Sequence, residues 1–360
     1  MHSSRKLRYF LLIVIFFLLD AAKLPILSAG APETVSRRAI TTVAYDPQSG
    51  QFIDIRPEQI QISGISARAV RCERLAGPRH IILLLDLSSS SRTVAVTRQN
   101  LFETARGFIA QFRTDDWLAL HVFAKRNRVL VPFCQDPLRI LGALNSVRSK
   151  TNSELSKEYG SGTYLPKALL DSPAISRADM RFGDAIVIIG DGIFTNEHKK
   201  DVHRELISHG IRLYLLQAKS LFDKSVRLEQ RIAGTDVEKT RIIASMTAWP
   251  KELIARQESM VLPAGGAVVY VIPQSEEIKL IYPGELRIGN PRQPFALKWI
   301  SNASVVLLGL IRNAFKVDLE ILEPVRKPRR IKLKLQDRLT DKKQNVPLQY
   351  QQWIFPSDRE

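Results

Sequence analysis

The sequence predicts an α/β protein, a doubly wound and mostly parallel sheet with helices on both faces, flanked by small β modules. Three observations carry this. His80–Ser91 (HIILLLDLSSSS) runs five aliphatic residues into Asp86 and, after Leu87, four serines. That pattern marks a short strand buried on both faces and ending at a polar edge. Asp184–Asp191 (DAIVIIGD) repeats it, and helix-like and strand-like stretches alternate around the two, the order that builds parallel βαβ units.

Taken in order, residues 1–31 read as an export signal. Arg5, Lys6 and Arg8 form a basic start, Tyr9–Leu19 is an apolar run of eleven, and Ser28–Ala31 are small. Eleven residues are too few to span a bilayer comfortably, so a cleavable signal is expected, with an uncleaved anchor as the rival reading. Either form touches a membrane at least transiently and sends the chain out of the cytoplasm, to the periplasm or beyond. Residues 32–77 read as a small β module: Ala39–Tyr45, a turn at Asp46–Gly50, then short strands at Gln59–Ile62 and Ala67–Val70.

Residues 78–275 hold the α/β unit. After the first buried strand, Leu101, Ala105, Phe108, Ile109 and Phe112 fall on one face of a helix. Trp117–Phe123 follows as a strand, Val129–Phe133 as an edge strand, and Pro137–Val147 as a helix opened by proline. Arg148–Gly162 reads as a polar loop. Beyond the second buried strand come a helix over Glu197–His209, a strand over Ile211–Gln217, a helix from Pro250 to about Met260, and a strand over Ala267–Ile272. Residues 276–360 read as a β-rich module, with Val305–Ile311 as a buried strand, and Arg330–Leu335, alternating basic and apolar, together with Leu348–Ile354 suggesting a small antiparallel β module.

In open α/β sheets the ligand crevice lies beyond the carboxyl ends of the strands. Asp86, Ser88 and Ser90 fall there, alternate residues of an extended chain. Thr163 lies in a glycine-rich loop (YGSGTYL), and Asp191 ends the second strand within Gly190-Asp191-Gly192. Two carboxylates and three hydroxyls, with no Cys or His, suit Mg²⁺ or Mn²⁺, which favour octahedral oxygen coordination.

Those three segments resemble the metal-ion-dependent adhesion site of von Willebrand factor A (VWA) domains. Asp86, Ser88 and Ser90 match its D-x-S-x-S loop, Thr163 its threonine and Asp191 its second aspartate; the usual T-D-G of the last loop is here Gly190-Asp191-Gly192. The resemblance implies a VWA fold, Rossmann-like in its winding, over about residues 78–275, with a cation on top and one position open to an acidic residue of a partner. The flanking β segments are similar, more weakly, to those of secreted bacterial VWFA-related proteins of the acidobacterial type.

Other chemistries fit less well. No G-x-S-x-G elbow, H-E-x-x-H pair or phosphate-cradling glycine loop appears, and His198, His203 and His209 read as surface residues. Ser89 and Ser91 read as turn caps. The expected function is therefore non-enzymatic binding of a protein partner that presents Asp or Glu. A metal-dependent hydrolase and a scaffold with a vestigial site are the alternatives. The terminal segment accounts for +3 of the formal charge of +17, so the mature chain keeps +14, which favours acidic partners. Nine basic residues between Arg326 and Lys343 could meet a polyanion or anionic surface or form an ordinary solvated strand face; no specific nucleic acid is expected. Cys72 and Cys134 could pair in an oxidising compartment or stay as thiols.

Overall fold

A computed structural model of the chain describes residues 36–46, 50–92, 95–176, 180–192, 198–217, 255–272, 277–281, 300–336 and 348–356. The expected signal segment lies outside them, as does the start of the helix expected from Pro250. Among the described residues no helix is long and apolar enough to cross a membrane.

The chain opens with β1 (Ser36–Asp46), β2 (Gln51–Ile53), β3 (Ile60–Ser63) and β4 (Ala67–Arg74), then enters β5 (His80–Asp86). Every residue of β5 is buried. A helical turn, α1 (Ser89–Arg92), and α2 (Ala95–Ala110) lead to β6 (Trp117–Phe123), β7 (Asn127–Cys134) and α3 (Pro137–Ser149). After α4 (Asn152–Tyr159) and α5 (Leu165–Ser176) come β8 (Ala185–Gly190), α6 (Lys199–Ser208) and β9 (Arg212–Gln217). Helix α7 covers 255–261, followed by β10 (Val268–Ile272), β11 (Glu277–Ile281) and α8 (Ile300–Arg312). The chain ends with β12 (Phe315–Ile321), β13 (Arg329–Arg330), β14 (Lys332–Leu335), β15 (Leu348–Tyr350) and β16 (Trp353–Ile354).

Seven strands form the main sheet in the order β11-β10-β9-β8-β5-β6-β7. The inner five run parallel, and β7 and β11 close the two edges antiparallel. The strand pleat divides β5 between two cores. Ile81, Leu83 and Leu85 pack with α2, α3 and α8, whereas Ile82 and Leu84 pack with α5, α6 and α7. This is why the strand is apolar on both faces. Strands β6 and β8 flank β5 on opposite sides, so the winding reverses there and a crevice opens at its carboxyl end.

The structure departs from the sequence reading in two elements and at one histidine, besides the strand pairings described below. Residues 305–311 are helical, not a strand. Ser304, Leu307, Leu308 and Ile311 are buried while Val305 is 51% exposed, a helical period that a short apolar run conceals. Within the loop expected at 148–162, α4 forms behind a capping box, Thr151 and Glu154 each accepting the other's backbone N–H. His203 is buried, not a surface residue: it shares a helix face with Val202, Leu206 and Ile207, and its Nε2 lies 2.8 Å from the Met260 carbonyl oxygen. His198 and His209 remain exposed.

Strand pairing crosses the boundaries drawn from sequence at 77 and 275. β12 pairs with β4 over its whole length, and β1 pairs with β15, so the segments before and after the α/β unit share one sheet. The basic strand splits in two, β13 pairing with β16 and β14 with β3. Its alternation holds, with Arg330, Lys332 and Lys334 exposed and Ile331 and Leu333 buried. Cys72 and Cys134 are free thiols here. Burial, with Glu58 and Asp318 nearby, pushes the Cys72 thiol up to about 12, so it is protonated and a poor nucleophile at neutral pH.

Candidate metal centre

The site grows from the ends of β5 and β8. Asp86 closes β5 and is fully buried, and Asp191 follows β8 and is fully buried as well. They are neighbours because β5 and β8 pair in parallel and in register, Leu85 opposite Ile189. The carboxylate of Asp86 is held on both oxygens, by Ser88 N–H donating to Oδ1 at 2.8 Å and Ser91 Oγ donating to Oδ2 at 2.9 Å.

Beyond Leu87 the backbone turns helical, so the alternation of an extended chain no longer places the serines. Ser88 and Ser90 still meet, Oγ to Oγ at 3.1 Å. Ser89 turns away and donates to the Ser161 carbonyl oxygen at 2.8 Å. Ser91 does more than cap the turn, because a helical turn carries it back beneath the Asp86 carboxylate. The four-serine run concealed that role, since its assignment depended on chain geometry.

Thr163 sits half-buried between Gly162 and α5. Its loop is hung on the same edge of the sheet. Tyr164 N–H donates to the Ala124 carbonyl oxygen at the end of β6, and the Ser161 carbonyl oxygen takes the Ser89 N–H. Arg92, 2% exposed, ties the same loops together by donating to Ser156 Oγ at 2.5 Å and the Gly160 carbonyl oxygen at 3.0 Å. Asp86 and Asp191 thus lie side by side, Ser88 and Ser90 meet next to them, and the loop that carries Thr163 is tied to the serine loop through Ser161.

At Gly190, where the T-D-G pattern has threonine, this chain packs closely. A Cβ at Gly190 would fall 2.7 Å from Asp86 Cβ and 3.0 Å from its Oδ2, so β8 approaches the Asp86 side chain closely enough to exclude one. Gly192, at φ +70°, completes the turn, and the buried Gln257 donates to its carbonyl oxygen at 2.9 Å. We expect Gly190→Ala to destabilise the fold by about 1–3 kcal/mol, as overpacking does, and to weaken cation binding by displacing Asp86. Thermal melts and calorimetry check it, and a variant that melts and titrates like the parent would show that the approach is not tight.

Burial first, and the charge of Asp191 second, push the Asp86 carboxyl up to about 7, against the opposing hydrogen bonds from Ser88 and Ser91. A divalent cation would suit this arrangement, because two buried carboxylates repel unless a positive charge lies between them. The donor set is oxygen throughout and fits a hard cation. Among the described residues no three His, Cys, Asp or Glu side chains gather as a metal cluster.

The same shift carries a pH dependence. A carboxyl raised from 3.8 to about 7 on folding contributes stability that is complete below 3.8 and lost as pH rises through 7. His121 and His203, both lowered to about 4 by burial, act oppositely, losing stability as pH falls from 6.5 through 4. We therefore expect the Mg²⁺-induced rise in Tm to be small near pH 4 and to grow towards pH 8. The histidines cancel in the difference between Mg²⁺ and chelator, so a rise independent of pH would exclude Asp86 as its source.

No family model matches the sequence, and no curated protein matches it. Solved structures do. An aerotolerance-related membrane protein from Bacteroides fragilis is 20% identical, covering 39% of this chain and 67% of its own, with a TM-score of 0.32. Proximal thread matrix protein 1 from the mussel byssus, solved with a zinc-occupied MIDAS motif, is 15% identical over 44% of this chain and 38% of its own, TM-score 0.32. The vWF domain of the type V pili tip protein Mfa5 from Porphyromonas gingivalis is 16% identical over 33% of this chain and 39% of its own, TM-score 0.27. The chain thus spans well under half the length of the last two. Each of these similarities covers 33–44% of this chain.

Proposed function

We propose that this protein is an exported, non-enzymatic binding module that holds Mg²⁺ or Mn²⁺ through Asp86, Ser88, Ser90, Thr163 and Asp191 and recognises an acidic residue of a protein partner. The observation that carries this is the pair of fully buried carboxylates, Asp86 and Asp191, on adjoining parallel strands at the winding reversal. Bound there, the cation would supply a Lewis-acidic position for a partner's carboxylate.

The chain's own part is placement. Ser88 N–H and Ser91 Oγ orient Asp86, and Gln257 holds the backbone that follows Asp191. Arg92 and the Ser89–Ser161 contacts lock the Thr163 loop to the serine loop. Such fixed loops spare a partner the entropy of ordering them. Calorimetric titration of the metal-stripped chain with Mg²⁺ and Mn²⁺, repeated with added acetate to stand in for the partner's carboxylate, tests the reading. Saturable binding strengthened by acetate is expected, and no binding under either condition would overturn it.

The exposed basic residues Arg330, Lys332 and Lys334 favour a second, independent contact with an anionic surface. Retention on a heparin column that falls when all three are changed to Ser would support it.

A further inference from the structure

We infer that the partner segment carries at least two acidic side chains, one for the cation and a neighbour that meets Lys125, with Tyr164 as an apolar rest beside them. The inference rests on the cation-site reading above.

Lys125 follows the end of β6 and lies against the Thr163 loop. A Cβ at Gly160 would fall 2.5 Å from Lys125 Cβ and 3.4 Å from its Cγ and Cδ, so the lysine stem lies across that glycine. The next residue, Ser161, is the one whose carbonyl oxygen holds Ser89. On the other side of Thr163, Tyr164 is 49% exposed. Its ring covers Gly162, where a Cβ would come within 2.7 Å, and its N–H is anchored to Ala124, the residue before Lys125. An exposed cation and an exposed aromatic ring thus border the loop that offers Thr163. Tyrosines so placed are common anchors at interfaces.

The acids of this rim are already engaged. Glu158 pairs with Lys150 and Arg128, and Glu154 closes the cap of α4. Among the described residues Lys125 and Lys167 are exposed and neither forms an ion pair with a described carboxylate, whereas Lys157 lies near enough to Glu154 to act on it. A single Asp or Glu would satisfy the cation and leave this positive rim unanswered. A short acidic stretch would answer both.

The test uses the full chain in mild detergent, with two fluorescent peptides that differ only in having one glutamate or three consecutive glutamates, titrated by anisotropy with Mg²⁺ and with chelator. With Mg²⁺ the triple-glutamate peptide should bind about three- to tenfold tighter at low salt, the range of one or two exposed ion pairs, and the advantage should shrink at high salt. Lys125→Ala should remove most of that advantage while leaving the single-glutamate peptide unchanged. Tyr164→Ala should weaken both peptides, with Tyr164→Phe retaining them. Equal, Mg²⁺-dependent affinities for the two peptides would overturn this inference and leave the cation site standing. Binding of the triple-glutamate peptide that persists in chelator and in Asp86→Ala would reduce it to plain charge adsorption and overturn it as well. Failure of both peptides in Mg²⁺ would sink the cation-site reading and this inference together.

Discussion

Asp86→Asn should abolish Mg²⁺ and Mn²⁺ binding and, in the metal-free protein at neutral to alkaline pH, raise Tm by roughly 2–8 °C, a gain of one to a few kcal/mol in a chain of this size. The two effects have one cause. Asp86 is fully buried beside Asp191, and burial and that neighbour already hold its carboxyl up to about 7. Ionising it without a cation is unfavourable, whereas an amide has no charge to desolvate. The amide keeps an oxygen for Ser88 N–H, and Ser91 Oγ, which donates in the parent, can rotate to accept from the new N–H. Calorimetry and melts with and without chelator read both effects. A variant that binds cation like the parent would remove Asp86 from the ligand set. One that melts well below it would make the carboxylate a structural group instead.

Arg212→Ala should cost about 3–5 kcal/mol, from several buried acceptors left unpaired at about 1–3 kcal/mol each together with the volume lost. Arg212 is 1% exposed although it lies in β9 among aliphatic neighbours. Its Nη1 donates to Tyr214 Oη and the Leu310 carbonyl oxygen, both at 2.8 Å, and its Nη2 to the carbonyl oxygens of Gly183 and Ile311 at 2.7 and 2.6 Å. Leu310 and Ile311 belong to the last turn of α8, whose carbonyls lack intrahelical partners. A guanidinium there caps the helix and complements the negative end of its dipole. Its removal leaves those carbonyls buried and unpaired. Denaturant unfolding measures the loss, and Arg212→Met separates packing from hydrogen bonding, since it restores volume but no donors. Recovery of stability in Arg212→Met would show that the side chain serves as filler.

The central sheet, and the polar cluster expected at its edge, were legible in the local pattern of residues. His80–Asp86 and Asp184–Asp191 read as buried parallel strands because strands covered on both faces must be apolar throughout. A polar cluster at the end of such a strand falls at the crevice by topology alone. Asp86, Ser88, Ser90 and Asp191 were expected at the crevice on that ground, whereas Thr163, which ends no strand, was added from its glycine-rich loop and the family resemblance. The capping box before α4 was legible too, in Thr151-x-x-Glu154, although the polar stretch around it read as loop. Tertiary structure decided what depends on distant partners. Val305–Ile311 is compatible with strand or helix until the cores around α2 and α3 select the helical period. His203 and Arg212 are polar residues whose burial follows from acceptors, at Met260 and at Leu310 and Ile311, that lie far along the chain. The pairing of β12 with β4 joins segments some 250 residues apart, and no local pattern encodes such a register. Gly190 belongs to the same class: its missing side chain makes sense only once Asp86 is seen to occupy the space.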